Sequence, residues 1–178
     1  MGTGTTRLIP TRRAALRALL ASSVPGLLAA CGFKLRQPPE LAFSSIYANV
    51  APTSPMGVEL RRHLRALGDV ELITEPARQK DAQVILDVLQ ERRQKVVVGM
   101  GPAGQVREFQ LRLFLRYRLR TPQGRELIPE AEIQQQRDLS FNESAVLSKE
   151  TEEELLYRSM QGDIVQQILR RLASVREL

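Results

Sequence analysis

Few side chains in this sequence could do chemistry, and their scarcity narrows the reading. Cys31 is the only cysteine and His63 the only histidine among 178 residues. One imidazole without a second thiol cannot build a histidine–cysteine metal cage or a serine–histidine–aspartate relay, so neither a catalytic nor a metal site is expected. His63 stands among Arg61, Arg62 and Arg65 on a helical pattern, which predicts a solvated surface residue. Gly99, Gly101 and Gly104 make a G-x-G-x-x-G string, but no helix pattern follows, so the dinucleotide context is missing and a hairpin tip explains it better. Glu152-Glu153-Glu154 opens a helix and is read as a helix start before an acid–base pair. The remaining candidate is a row of guanidinium groups, Arg112, Arg116, Arg118 and Arg120, at alternate positions of one strand pattern. Such a row can pair bidentately with phosphate, or be neutralised across the sheet by Glu130, Glu132 and Asp138. No cofactor motif is present.

The elements that carry these residues begin with a leader. Residues 1–30 hold Arg7, Arg12, Arg13 and Arg17 and no acid, followed by an apolar run from Ala18 to Ala30. The run suits a signal peptide and is too short to span a bilayer, which takes about 20 apolar residues. Leu28-Ala29-Ala30-Cys31 resembles the lipobox of bacterial lipoproteins, in which the thiol accepts a diacylglycerol and becomes the acylated amino terminus. A lone cysteine in an exported chain has no disulfide partner within it, which also favours lipidation. Thr11–Arg17 loosely resembles a twin-arginine signal, a pairing that general secretory leaders share. Gly32 follows the cysteine where an aspartate would mark inner-membrane retention in enterobacterial lipoproteins, so the implied destination is the outer membrane, facing the periplasm. The expected division is residues 1–30 as signal peptide, 31–40 as lipidated cysteine and Pro38-Pro39 linker, and 41–178 as a periplasmic domain.

The formal charge of +6 belongs largely to the leader, because without its four arginines 22 basic residues face 20 acidic ones. Nucleic-acid binders concentrate a basic face on the folded domain, so no nucleic-acid partner is expected. A hydrophobic fraction of 43% and a mean hydropathy of −0.22 suit an ordinary globular chain.

In the mature part, Phe43–Val50 alternates like a strand, and Pro52, Ser54 and Pro55 mark a turn. Met56–Leu67 is helical, with Leu60, Leu64 and Leu67 on one face and Gly68 as its stop. Val70–Ile73 is a short strand candidate. Ala82–Gln90 alternates, then resumes after Glu91-Arg92-Arg93 as Val96–Val98. Arg107–Arg120 has the cleanest period of two, with Phe109, Leu111, Leu113, Leu115, Tyr117 and Leu119 on one side and the arginine row on the other. Ala131–Phe141 supplies a further strand. The last element is a helix with Ser148 as N-cap and Leu156, Met160, Ile164, Ile168 and Leu172 every four residues, widened by Leu155, Val165 and Leu169. The expected fold is α+β: a two-layer sandwich with two helices on one face of a roughly four-stranded, mostly antiparallel sheet.

Cys31-Gly32-Phe33-Lys34-Leu35-Arg36, the Arg107–Arg120 strand, Arg137-Asp138 with Leu139–Asn142, Leu147-Ser148-Lys149-Glu150 and the closing Arg170-Arg171-Leu172 follow one another in a familiar order. In that order and spacing they resemble the lipopolysaccharide-assembly lipoprotein family (LptE, also called RlpB), over the whole mature chain. The resemblance implies a non-enzymatic protein that plugs the LptD β-barrel of the lipopolysaccharide translocon as a 1:1 complex, assists its assembly and has been proposed to bind lipopolysaccharide. It also implies that Lys149 occupies a basic position facing the anionic glycolipid. The family's basic hairpin tip has no counterpart here, since Val98–Gly104 contains neither lysine nor arginine. The competing readings are another outer-membrane lipoprotein with a structural role, or one that binds a small lipid in an apolar pocket between helices and sheet.

Overall fold

The computed structural model describes residues 41–178, so the expected signal peptide, Cys31 and the expected linker lie outside the described residues. The organising element is the cleanest strand of the sequence. On β4 (Val106–Arg120), Leu111, Leu113, Leu115, Tyr117 and Leu119 are fully buried in a row. A β4 flat against water on that side would expose five large side chains, each worth about 1.5–3 kcal/mol when buried. Two helices supply the cover. Helix α1 (Pro55–Ala66) contributes Met56, Leu60 and Leu64, and α2 (Val146–Ala173) contributes Met160, Ile164, Val165, Ile168 and Leu172, all in one core with β4. The other strands are β1 (Ser45–Asn49), β2 (Glu71–Ile73), β3 (Val84–Met100) and β5 (Glu126–Ser140), in the order β2-β1-β3-β4-β5.

This is the two-layer α+β sandwich expected, with one more strand than the rough count of four. The short strand candidate Val70–Ile73 supplies the fifth strand, β2, which is three residues long. The long pairings, β3 with β4 and β4 with β5, are antiparallel, while β1 runs parallel to both its neighbours. α1 is the crossover that parallel β1 and β2 require, on the helix face. A 3-10 segment, Pro76–Asp81, then returns the chain to β3, and Ala82 packs with Tyr47, Ile73 and Ile85 in a second small cluster.

Local boundaries follow from capping and turn chemistry. Ser54 caps α1 by accepting from the Gly57 amide, and its hydroxyl donates to Glu91 at 2.6 Å. Gly68, at φ 76°, lets the chain leave α1 through the left-handed region. In the β3–β4 hairpin Gly104 has φ 81° and donates to the Gly101 carbonyl, so the glycine string is turn geometry. Helix α2 begins two residues before the expected cap. Asn142, not Ser148, accepts the first amide, from Ser144, in a 3-10 turn that runs into Val146. Leu155, expected in the apolar stripe, is exposed, because α2 turns that side outward. β5 starts at Glu126 rather than Ala131, and the register shift between Tyr117 and Leu119 places Pro129 in a bulge on the sheet's edge, where a residue without an amide hydrogen is tolerated.

β3 is continuous through its charged centre because of one extra residue. Its register against β4 shifts between Val88 and Gln90, leaving Leu89 as a bulge. Directly opposed residues point the same way, so the bulge inverts the alternation. Before it, Leu86 and Val88 face the helices; after it, Glu91, Arg93 and Lys95 do, opposite Leu115, Leu113 and Leu111. α2 meets these charges with its acidic run: Arg93 pairs with Glu154 at 3.3 Å and Lys95 with Glu153 at 2.6 Å. The Arg93 guanidinium also stacks on Tyr157, 4.7 Å from the ring centre, and Tyr157 donates to the Gln94 carbonyl at 2.9 Å.

On the opposite face, buried Asp87 ties three strands together. It accepts from Arg120 at 2.7 Å and Arg118 at 3.0 Å on β4, and from Asn49 at 2.9 Å on β1. Burial pushes its carboxyl up, but the bonds from Arg120, Asn49 and Arg118 outweigh that and hold it below the usual aspartate value.

Two outcomes follow. Leu115→Ala empties the centre of the core and should cost about 2–5 kcal/mol in urea unfolding. A depressed native value means the contribution of Asp87 is complete above the unfolded aspartate value of about 3.9 and is lost as pH falls through the native one. Asp87→Ala should cost about 1–3 kcal/mol at neutral pH and flatten the acid limb of a stability-versus-pH curve.

Candidate interaction surface

The helices cover one side of the long ribbon β3-β4-β5, and its other side carries the arginine row. The structure separates that row into members already engaged and one that is not. Arg120 and Arg118 share one carboxylate oxygen of Asp87, and Arg118 also lies 4.0 Å from Glu126. Arg116 pairs with Glu130 at 3.2 Å, on the neighbouring strand. Arg112 makes no ion pair among the described residues, and its Nε donates to Gln110 at 2.8 Å, which in turn donates to Asp138 at 3.1 Å. The reason is register. The acidic part of β5 lies against Arg116–Arg120, whereas Gln136 stands opposite Arg112.

The bulge at Leu89 brings a second cation to Arg112. Arg92 faces this side, lies over the Phe114 ring at 4.3 Å and has no ion pair among the described residues. Gln94 is opposite Arg112 on β3, and Gln134 is opposite Phe114 on β5. The patch is therefore two guanidiniums and one aromatic ring framed by amide side chains. Guanidiniums over neutral amides keep their charge available, so this is where the face can hold a phosphate or carboxylate of a partner. Sequence spacing could not single out Arg92, because a period of two through Glu91-Arg92-Arg93 is broken by a bulge that only strand pairing locates.

Lys149 lies elsewhere. Its Nζ donates to Ser140 at 3.0 Å and to Glu152 at 2.7 Å, leaving its side chain 19% exposed. It fastens the end of β5 to the first turns of α2. Ser140 is four residues along β5 from Gln136, about 13 Å, so Lys149 is not part of the Arg92–Arg112 patch. His63 is not a solvated residue either: its Nε2 lies 3.0 Å from Glu59 and its Nδ1 3.4 Å from Gln166, half-buried between the helices. Hydrogen bonds to Arg62 foremost, with help from His63, hold the Glu59 carboxyl below its ordinary value against the effect of burial.

The space between helices and sheet is filled by the core. An open groove of about 510 Å³ lies between α1 and α2, edged by Val58, Glu59, Arg62, Glu154, Arg158 and Gln161. Its ion-paired rim (Arg62 with Glu59, Arg158 with Glu154) differs from the apolar enclosure that a small lipid needs. Among the described residues no cluster of acids, histidines or cysteines could hold a metal ion, and no helix is long and apolar enough to cross a membrane.

The fold has counterparts among solved structures. The structure of lipoprotein B from Nitrosomonas europaea is 32% identical and superposes with a TM-score of 0.68, over 80% of this chain and 91% of that one. Rare lipoprotein B from Shewanella oneidensis shares the fold at 21% identity, with a TM-score of 0.62 over 74% of this chain and 95% of its own. The LPS-assembly lipoprotein LptE of Pectobacterium atrosepticum is 27% identical over 152 residues, 84% of this chain and 80% of that one. Residues 43–172, from the entry into β1 to the last turn of α2, match the lipopolysaccharide-assembly family LptE, and the chain belongs to that family.

Proposed function

We propose that this protein is an outer-membrane lipoprotein, acylated at Cys31 and facing the periplasm, that plugs an LptD-like β-barrel as a 1:1 complex while lipopolysaccharide is inserted into the outer leaflet. The observation that carries the reading is the family match across the described domain, joined to the lipobox-like Leu28–Cys31 at its start. A plug must present polar surface to a hydrated barrel lumen, and the open face of β3-β4-β5 offers arginine, glutamine and glutamate side chains along its length. The protein acts by contact and not by bond-making.

The arginine row and Lys149 take graded parts in that contact. Arg112, with Arg92, meets phosphates of lipopolysaccharide or acidic groups of the barrel directly. Arg116, Arg118, Arg120 and Lys149 have carboxylate partners of their own, so an anion has to compete for them.

Affinity purification of the tagged, lipidated protein from its own outer membrane, in mild detergent, tests the reading. One large β-barrel protein should be recovered at about one to one, and Cys31→Ala should move the chain out of the membrane fraction, because three acyl chains far exceed what stable anchoring takes. Recovery of the correctly processed protein alone would overturn it. Within that complex, Arg112→Glu should weaken barrel or lipopolysaccharide binding about tenfold, or ~1.4 kcal/mol. Arg116→Glu, whose partner Glu130 already occupies it, should change binding less than threefold. Titrations at two salt concentrations check both, since the Arg112 effect should shrink as salt rises.

A further inference from the structure

β3 has two edges, and one is open over most of its length. One edge pairs with β4 throughout, while the other pairs with β1 only from Val84 to Asp87. The loop carrying Ser54 reaches Glu91. Beyond that point, among the described residues, no strand pairs with this edge. Val96, Val97, Val98 and Met100 are exposed there by 36%, 43%, 47% and 71%. Tyr157 of α2 takes the Gln94 carbonyl, so the free outward backbone groups lie from there to the Val98 bulge, beside three β-branched residues in succession.

Folded proteins guard such an edge with proline, a charge, a bulge or brevity. The sheet's other edges show this: β2 has three residues, and β5 has Pro129 in a bulge with Glu130 and Glu132 beside it. On β3 the cations that would guard are turned away. Arg93 and Lys95 are bound to Glu154 and Glu153 of α2, and Lys95 also lies over the Phe109 ring at 4.3 Å. The register with β4 is unbroken from Gln90 to Val97, and a bulge at Val98 marks the end of the regular stretch. A β-branched edge whose nearby charges are all engaged elsewhere is what strand addition uses: main-chain bonds give affinity and alternate side chains give selectivity.

We propose that the free edge of β3 over Val96–Val98 is a strand-addition site, filled by an extended, uncharged segment of the β-barrel partner. The inference rests on the plug reading above. Charge favours a neutral strand as occupant, because no ionisable side chain occurs from Val96 to Val106 to meet a phosphate. Area argues against a second copy: two tips pairing through three valines bury far less than the roughly 1,200 Å² that a stable pair requires. A barrel that surrounds the domain makes the strand pair one part of a larger contact.

The test uses the full lipidated protein purified with its barrel. Amide exchange at Val96–Val98 should slow at least tenfold in the complex relative to the protein alone, and a photo-crosslinker at Val96 should capture the barrel. Val96→Lys with Val98→Lys, which restores the missing guard at exposed positions, should leave thermal unfolding unchanged and cut barrel recovery at least tenfold. Unslowed amides with full recovery of the barrel by the double variant would overturn strand addition while leaving the plug reading intact. Capture of another copy of this chain at Val96 would overturn the occupant. Failure of the unsubstituted protein to recover any barrel would overturn the plug reading, and this occupant with it.

Discussion

Everything in this domain answers to one requirement, that the apolar row of β4 be covered on one side only. Five consecutive inward side chains from Leu111 to Leu119 are fully buried, and each neighbouring element is placed by that demand. α2 lies along the row for most of its length, α1 closes it beside β1 and β3, and β5 adds Ile133 and Leu139 at the flank. A sheet covered on a single face must leave the other wet, which frees that face for polar contact.

The second constraint is electrostatic and is solved by register. The bulge at Leu89 changes which β3 residues look at the helices, so a face that begins apolar at Leu86 becomes ionic at Arg93 and Lys95. Half-exposed charges against a helix would be a burden without partners. Glu153 and Glu154 supply them, with Tyr157 stacked beneath Arg93. The acidic run of α2 is thus an adhesive between helix and sheet tip. On the wet face the same one-residue shift directs Arg92 onto Phe114 beside Arg112, while Asp87 gathers Arg118 and Arg120 into a bond across three strands.

These two solutions leave an uneven surface. At the β1 end of the sheet the wet face is self-neutralised, and among its long strands Arg92 and Arg112 stand free among amides. Further along, charge gives out at the valine run of β3. The proposed plug role suits such a gradient, with polar side chains toward a hydrated lumen and unpaired backbone at one end.

The sequence alone determined the fold class, both helices, the inward row of β4 and the turns at Gly68 and Gly104, because periodicity and glycine conformation are local properties of the chain. The proposed acylation of Cys31 likewise rests on sequence, on the place of that cysteine after an apolar run. Several features required the tertiary structure. β1 runs parallel to both its neighbours, α2 starts at Val146 behind a 3-10 turn capped by Asn142 and not at the expected cap Ser148, and Leu155 belongs to the helical stripe by spacing yet points outward. The arginine row was legible as a row, but not as three neutralised members and one free one. That division is set by which acids of β5 fall opposite which residues of β4. A single extra residue at Leu89 likewise chose Arg92 over Arg93 for the wet face, and cross-strand register is a relation between distant segments that no local pattern encodes.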